Sequence, residues 1–294
     1  MPSILPQLII NGLIAGSVYA LAASGFALVY YVVKFQYFSQ GAILAISAYM
    51  FFMFLNLIGL HYLLAAVFSI IISVIAALLA NWLVYRPLRK RKAGGVPLLV
   101  SSVVLLIFSS SLMQAIFGSS TKTLLLGNQN TIFNFGFFTI TTIQIAIIIL
   151  AIILFFILFY IFMKTRLGKA MRALADNKDV AQVVGINPEK IYNYTFVISA
   201  VIGGVSGILI GLEQNLYPRM GVLIIIKGFI SSVVGGLGSV PGSIVGGLFI
   251  GLIENIGIWF LPSGYKDVIS FTTMLLFLLF RPQGIFGVKM RDDN

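Results

Sequence analysis

Few side chains in this 294-residue sequence could do chemistry: it has eight acidic residues, one histidine and no cysteine. Disulfides, thiol nucleophiles and thiolate metal sites are therefore excluded, and His61 alone supports no imidazole cluster. The acidic residue that stands out is Glu254, followed by Asn255. Both fall inside an apolar run of span length (243–261), where a charge costs roughly 2.5–3.5 kcal/mol to insert. A carboxylate kept at that cost faces a partner or a watery cavity, so Glu254 is a candidate for lining a path or holding a proton or cation. Glu213 and Gln214 close another apolar run, at an end where water can solvate them. His61 stands at the edge of a run, as an interfacial residue does. The stretch GSSTKT (118–123) has a Lys-Thr pair but lacks the spacing of the GxxxxGK[ST] phosphate loop. Paired acids, a nucleophile elbow and a zinc-binding helix are missing too. The expectation is a protein that is not an enzyme and holds no metal or nucleotide of its own.

The elements around these residues are membrane-like. Hydrophobic residues make up 60% of the chain and charged ones 9%, with a mean hydropathy of +1.06, whereas soluble domains carry about 25% charged residues. Continuous apolar runs of helical length exclude a transmembrane barrel, which would alternate. The fold class expected is all-α: one polytopic membrane domain, 1–294, with about nine transmembrane helices (range eight to ten). The spans read 8–33, 42–58, 62–85, 96–117, 143–163, 191–212, 223–238, 243–261 and 267–280. The run 143–163 is the most uniformly apolar and should face lipid. The opening MPSILPQ lacks the basic region of a signal peptide.

Two kinds of feature interrupt the spans. RPLRKRK (86–92) places five basic groups in seven positions, and the segment 164–190 carries nine of the 27 charged residues. In that segment Arg166, Lys169 and Arg172 recur every three residues, with Leu167, Met171 and Leu174 on another face, so it reads as an amphipathic helix with something to cover. Putting Lys34, 86–92, 164–190 and the tail in the cytoplasm places 15 of 19 basic residues inside, against Lys122, Arg219, Lys227 and Lys266 outside. The positive-inside rule then sets the N-terminus outside and the C-terminus in the cytoplasm, and it accounts for the +11 net charge without nucleic acid.

The second feature is glycine: 14 of 29 lie between Gly203 and Gly257, several spaced by four as in close helix packing. GGLGSVPGS (235–243) has more helix breakers than packing needs. It suggests an interruption exposing backbone dipoles to a solute, with Gly238, Ser239, Pro241 and Gly242 on the path. FQYFSQG (35–41) is a second, weaker break, with Gln40 and Gly41.

Six stretches together resemble one family: NGLIAGSVYALAASGFALVY (11–30), FSQGAILAISAY (38–49), RPLR (86–89), GKAMRALADNKDVAQVVGIN (168–187), GGLGSVPGSIVGGLFIGLIEN (235–255) and RPQGIFG (281–287). They are similar to LivH-type permease subunits of branched-chain amino acid ABC importers, in order through nearly the whole chain. The resemblance implies the ABC importer permease fold in a bacterial inner membrane. It also implies a homologous LivM-like second permease, two ATPase subunits that bind ATP and Mg²⁺, and an extracytoplasmic substrate-binding protein. On that resemblance 164–190 is the cytoplasmic coupling segment that docks in an ATPase groove, with Ala173, Ala175, Asp176, Ala181 and Gly185 as the matching residues. The family's Asn-Phe-Ala-His-Gly-Asp is here Tyr37-Phe38-Ser39-Gln40-Gly41-Ala42, keeping only Phe38 and Gly41, which leaves the substrate at branched-chain or related amino acids. The alternatives are an ABC permease for a sugar or nucleoside, an ion-coupled transporter using Glu254, and a scaffold without transport.

Overall fold

A computed structural model describes residues 4–124, 131–134 and 138–287. The polar tail expected in the cytoplasm lies outside the described residues from position 288 on. Twelve α-helices follow in order: α1 Ile4–Val33, α2 Gln40–Phe52, α3 Tyr62–Ala80, α4 Arg86–Lys90, α5 Gly95–Phe117, α6 Thr142–Lys164, α7 Arg166–Asp176, α8 Lys178–Val183, α9 Pro188–Glu213, α10 Met220–Gly235, α11 Val240–Gly257 and α12 Lys266–Phe280. π-helical turns at Met53–Leu57 and Asn81–Tyr85 extend α2 and join α3 to α4 without a break. Eight apolar helical stretches are long enough to span a bilayer, and α10 is a shorter ninth. The nine expected spans therefore appear as nine apolar helices among the described residues.

The long helix α1 is the axis of the molecule. At 30 residues it measures about 45 Å, and its inner two-thirds is buried almost all round. Against it pack α9, α10 and α11, with α2 wedged between α9 and α10. The closest crossing is with α11: a Cβ on Gly16 would lie 2.9 Å from the Leu248 Cα, and one on Gly12 3.0 Å from the Leu252 Cα. Glycine spacing in both helices thus becomes backbone contact, as small residues at intervals of four allow. By contrast α3, α5, α6 and α12 keep large apolar side chains outward, such as Phe156 and Tyr160 on α6. α6 begins with a capping box between Thr141 and Gln144, which satisfies its first amides reciprocally.

One small element adds to the all-α expectation, and the placing of one charge needs correcting. The polar stretch after α5 holds a small antiparallel hairpin, Ile132–Asn134 with Thr139–Thr141, and Gln7 accepts a hydrogen bond from the Thr139 amide at 2.7 Å. Lys227, counted outside the membrane, lies in the middle of α10 and is 7% exposed; it pairs with a buried acid and does not orient the chain.

Candidate functional site

α7 and α8 form a bracket between α6 and α9. Thr165 leaves the helix at the end of α6, and its hydroxyl accepts the Gly168 amide at 3.1 Å to start α7. Gly168 is buried against the last carbonyls of α6, where a Cβ would collide with Phe162 and Ile161 backbone. The Arg172 guanidinium donates to the Phe162 carbonyl and lies over that residue's ring, 5.6 Å from its centroid. Met171, Leu174 and Ala175 are buried on one face while Arg166, Lys169 and Asp176 face out. Of the stripe Leu167, Met171 and Leu174, Leu167 is half-buried and the other two are buried, so it covers the chain's own core.

Asn177 breaks the helix and caps α8, its Oδ1 accepting the Asp179 and Val180 amides at 3.0 and 3.1 Å. Only Ala181 of α8 is buried. Val180, Val183 and Val184 are 59%, 87% and 70% exposed, a row of branched apolar side chains in an otherwise charged segment. Fully burying such a side chain is worth about 1.5–3 kcal/mol, so this row is a ready contact for a partner. Its sequence signal is the Val183-Val184 doublet inside a polar island, which composition alone reads as core.

Gly185 closes α8. Its φ is +86°, its amide donates to the Gln182 carbonyl at 3.0 Å, and the Ile186 amide donates to Ala181 at 2.9 Å. These two bonds make a Schellman cap, in which a left-handed residue ends the helix. Space around Gly185 is open, so the constraint is on its backbone. Gly185→Ala should cost about 1–2 kcal/mol locally, read as faster amide hydrogen exchange at Ile186. Gly185→Asn should exchange close to wild type. Equal exchange in the alanine variant would show that the cap contributes nothing.

From this bracket a polar chain runs into the molecule. Asn187 caps α9, accepting the Glu189 amide at 3.0 Å. The Glu189 carboxylate lies 3.3 Å from Arg89 Nη2 and 3.5 Å from Arg86 Nε. Arg89 also donates to Asn81 Oδ1 at 2.9 Å, and Asn81 to Asn193 at 2.7 Å. One turn further, the Tyr85 and Ser39 hydroxyls are 2.5 Å apart. Tyr85 and the RPLR motif that follows it therefore tie the break before α2 and the start of α9 to one helical segment.

That break, 34–39, folds back into the bundle. Phe35, Tyr37 and Ser39 are buried, and Gln40 packs beside Gly25 and Gly203, about two turns short of the end of α1. Gln40 donates to the Ser199 carbonyl at 2.9 Å and accepts from the Ser199 hydroxyl at 2.8 Å. Gly41 meets Gly221 of α10, and a Cβ on either would strike the other's carbonyl. The starts of α2 and α10 thus touch inside the bundle.

The second break is a tight turn, 236–239, between antiparallel α10 and α11, with φ of +113° at Gly236 and +87° at Gly238. Ser239 caps α11 through the Gly242 amide at 3.1 Å, with Pro241 in the first turn. The Ile285 and Phe286 amides donate to Val234 and Gly235 at 2.9 Å, so RPQGIFG seals this turn from below. Along α1, Glu254 stands at Tyr19, Gln40 at Gly25 and Gly238 at Tyr30. The candidate path residues are therefore strung over about 17 Å of helix and do not converge on one point.

Glu254 is 1% exposed and fully engaged. It pairs with Lys227 and accepts from the Ser270 hydroxyl, and the Tyr19 hydroxyl donates to it at 2.9 Å. Lys227 also reaches Asp267 at 2.8 Å and Ser270 at 2.8 Å. Asp267 is 63% exposed at the other end of the array. In the loop nearby, burial and the Asp267 carboxylate raise the Tyr217 hydroxyl above the ordinary phenolic range, keeping it a neutral donor.

A multi-span helical bundle with helix breaks inside it and a helical bracket at one end is the frame of a polytopic membrane protein, and the family it matches makes it a permease. The model of the family described as branched-chain amino acid transport system / permease component matches residues 8–278, and the chain belongs to that family. It is 35% identical to the high-affinity branched-chain amino acid transport system permease protein BraD of Pseudomonas aeruginosa, over 96% of this chain and 95% of that protein. It is 33% identical to LivH of Salmonella typhimurium, with the same coverage. Among solved structures, PsaBC from Streptococcus pneumoniae in complex with Fab matches with a TM-score of 0.52 and 12% identity, covering 94% of this chain and 92% of that one; this likeness concerns the fold alone.

Proposed function

We propose that the chain is the permease subunit of an ATP-driven importer that moves branched-chain amino acids inward by alternating access. The observation that carries this reading is the full-length identity to permeases named for that transport. Energy comes from two separate ATPase subunits, which bind ATP and Mg²⁺ and dock on α7–α8. Contact is made chiefly by the exposed face of Asp176, Val180, Val183 and Val184, while Ala175 and Ala181 hold the bracket from behind and Ala173 and Gly185 shape its ends. ATPase closure tilts the bracket, and the Glu189–Arg89–Asn81 chain carries the motion to the 34–39 break. The path runs beside that break at Gln40 and Gly41, with Glu254 a paired wall residue.

A LivM-like second permease and an extracytoplasmic binding protein complete the assembly, in a bacterial inner membrane with the N-terminus outside and the C-terminus in the cytoplasm. The basic residues of 86–92 and 164–190 support that orientation. The reading is tested in proteoliposomes holding permeases, ATPases and binding protein. Radiolabelled leucine uptake should require ATP on the ATPase side and should be unaffected by a protonophore. Gradient-driven uptake by the purified chain alone would overturn it.

A further inference from the structure

At the end of the bundle opposite the α7–α8 bracket, five helices line a half-open cavity of about 270 Å³. Its α1 wall lies in the N-terminal two-thirds of that helix, between Asn11 and Tyr19, and none of its lining residues belongs to the 34–39 break. Two of its lining groups carry opposite charge: Glu213, the last residue of α9, and Lys266, the first of α12. They are not paired with each other. Gln144 donates to Glu213 Oε1 at 3.0 Å, and Lys266 donates to Asn255 Oδ1 at 3.4 Å. A carboxylate offers about four lone-pair sites and an ammonium three donors, so each group has capacity left for a ligand. The α1 wall supplies the third property: Ile14, Ala15 and Val18 present one aliphatic strip to the same space.

We propose that this cavity is a binding site for a zwitterionic aliphatic α-amino acid. Glu213 accepts from the ligand ammonium, Lys266 donates to its carboxylate, and the Ile14–Val18 strip covers its side chain. The amide groups of Gln144 and Asn255 orient the two charged groups and are positioning residues. About 270 Å³ far exceeds the roughly 10–15 Å³ of such space that one water needs, so a solute of several non-hydrogen atoms fits. Glu213 and Lys266 are half-buried; a sugar matches neither charge and an amine or acid alone matches one, so the pair favours a solute that carries both. The inference rests on the amino-acid permease reading and adds an extracytoplasmic waiting site within one permease chain, next to the Tyr19–Glu254 array.

The chain has no cysteine, which makes the test direct. Ala15→Cys and, separately, Val18→Cys are introduced into the assembled importer, and the labelling rate with a water-soluble methanethiosulfonate is measured. L-leucine at ten times its dissociation constant should slow labelling about tenfold, whereas isocaproate, isoamylamine and glucose at the same concentration should not. Adding Glu213→Gln or Lys266→Met should abolish protection. Both cysteines unreactive without ligand, equal protection by all four solutes, or no protection by leucine each overturns the site. Leucine uptake is followed in the same proteoliposomes. Uptake without protection removes the site and leaves the transport reading intact; protection without uptake does the reverse.

Discussion

Val183→Asp with Val184→Asp should reduce ATP-driven leucine uptake at least about 100-fold and leave the permease folded in the membrane. The two side chains are 87% and 70% exposed, so neither supports the fold and neither replacement leaves a cavity. In a docked complex the outcome differs. Each substitution loses roughly 1.5–3 kcal/mol of apolar burial and forces a carboxylate out of water, and every 1.4 kcal/mol is tenfold in affinity. Val183→Leu with Val184→Ile keeps the apolar surface and should retain most uptake. The measurement is uptake alongside stimulated ATP hydrolysis and thermal unfolding of the detergent-purified chain. Uptake within twofold of the unmodified importer would remove α8 from the ATPase contact, whereas a fallen unfolding temperature would show that the valines serve the fold.

The second large effect concerns the buried array in the bundle. Glu254→Ala leaves the Lys227 ammonium with Asp267 and Ser270 as its remaining partners in a place where the Tyr19 hydroxyl also loses its acceptor. Breaking a buried pair from one side costs about 3–5 kcal/mol, and the partial compensation by Asp267 puts Glu254→Ala toward the lower figure. The double variant Lys227→Met/Glu254→Leu removes both charges, keeps similar volume, and should recover most of the lost stability, since replacing a buried ion pair with packed apolar groups is often neutral. The same pair of variants separates two modes of transport. If Glu254 were a site for a coupled proton or cation, the double variant would be stable yet inactive. A structural pair predicts that uptake returns with stability, as followed by unfolding temperature and uptake in parallel.

Much of this architecture is local and therefore readable in the residues. Apolar runs of 16 to 30 residues form helices wherever they meet a bilayer, because backbone groups in lipid must be satisfied within the segment. Hence the expected 96–117 and 143–163 match Gly95–Phe117 and Thr142–Lys164 within a residue or two. The amphipathic face of α7 follows from helical periodicity alone, and both chain breaks are announced by their glycine, proline and polar residues. Lys227 shows where this stops. A charge tally assigns a lysine to a side of the membrane by its neighbours in sequence, but its partners are Glu254, Asp267 and Ser270, brought within reach only when α10, α11 and α12 pack together. The valine row is the converse case. Val183 and Val184 are apolar by type, yet with Ala181 of α8 turned inward they are left 87% and 70% exposed.

The opening candidate, Glu254, divides along the same line. Its burial was determined by the sequence, since an acid in the middle of an apolar run has nowhere else to go. Whether it faced water, a coupled ion or a lysine was decided by tertiary structure alone, because a carboxylate's state depends on the charges within a few ångströms and those come from distant parts of the chain. The same holds for Glu213 and Lys266: each ends or begins a helix by local rules, and packing of α1, α6, α9, α11 and α12 sets them on one cavity.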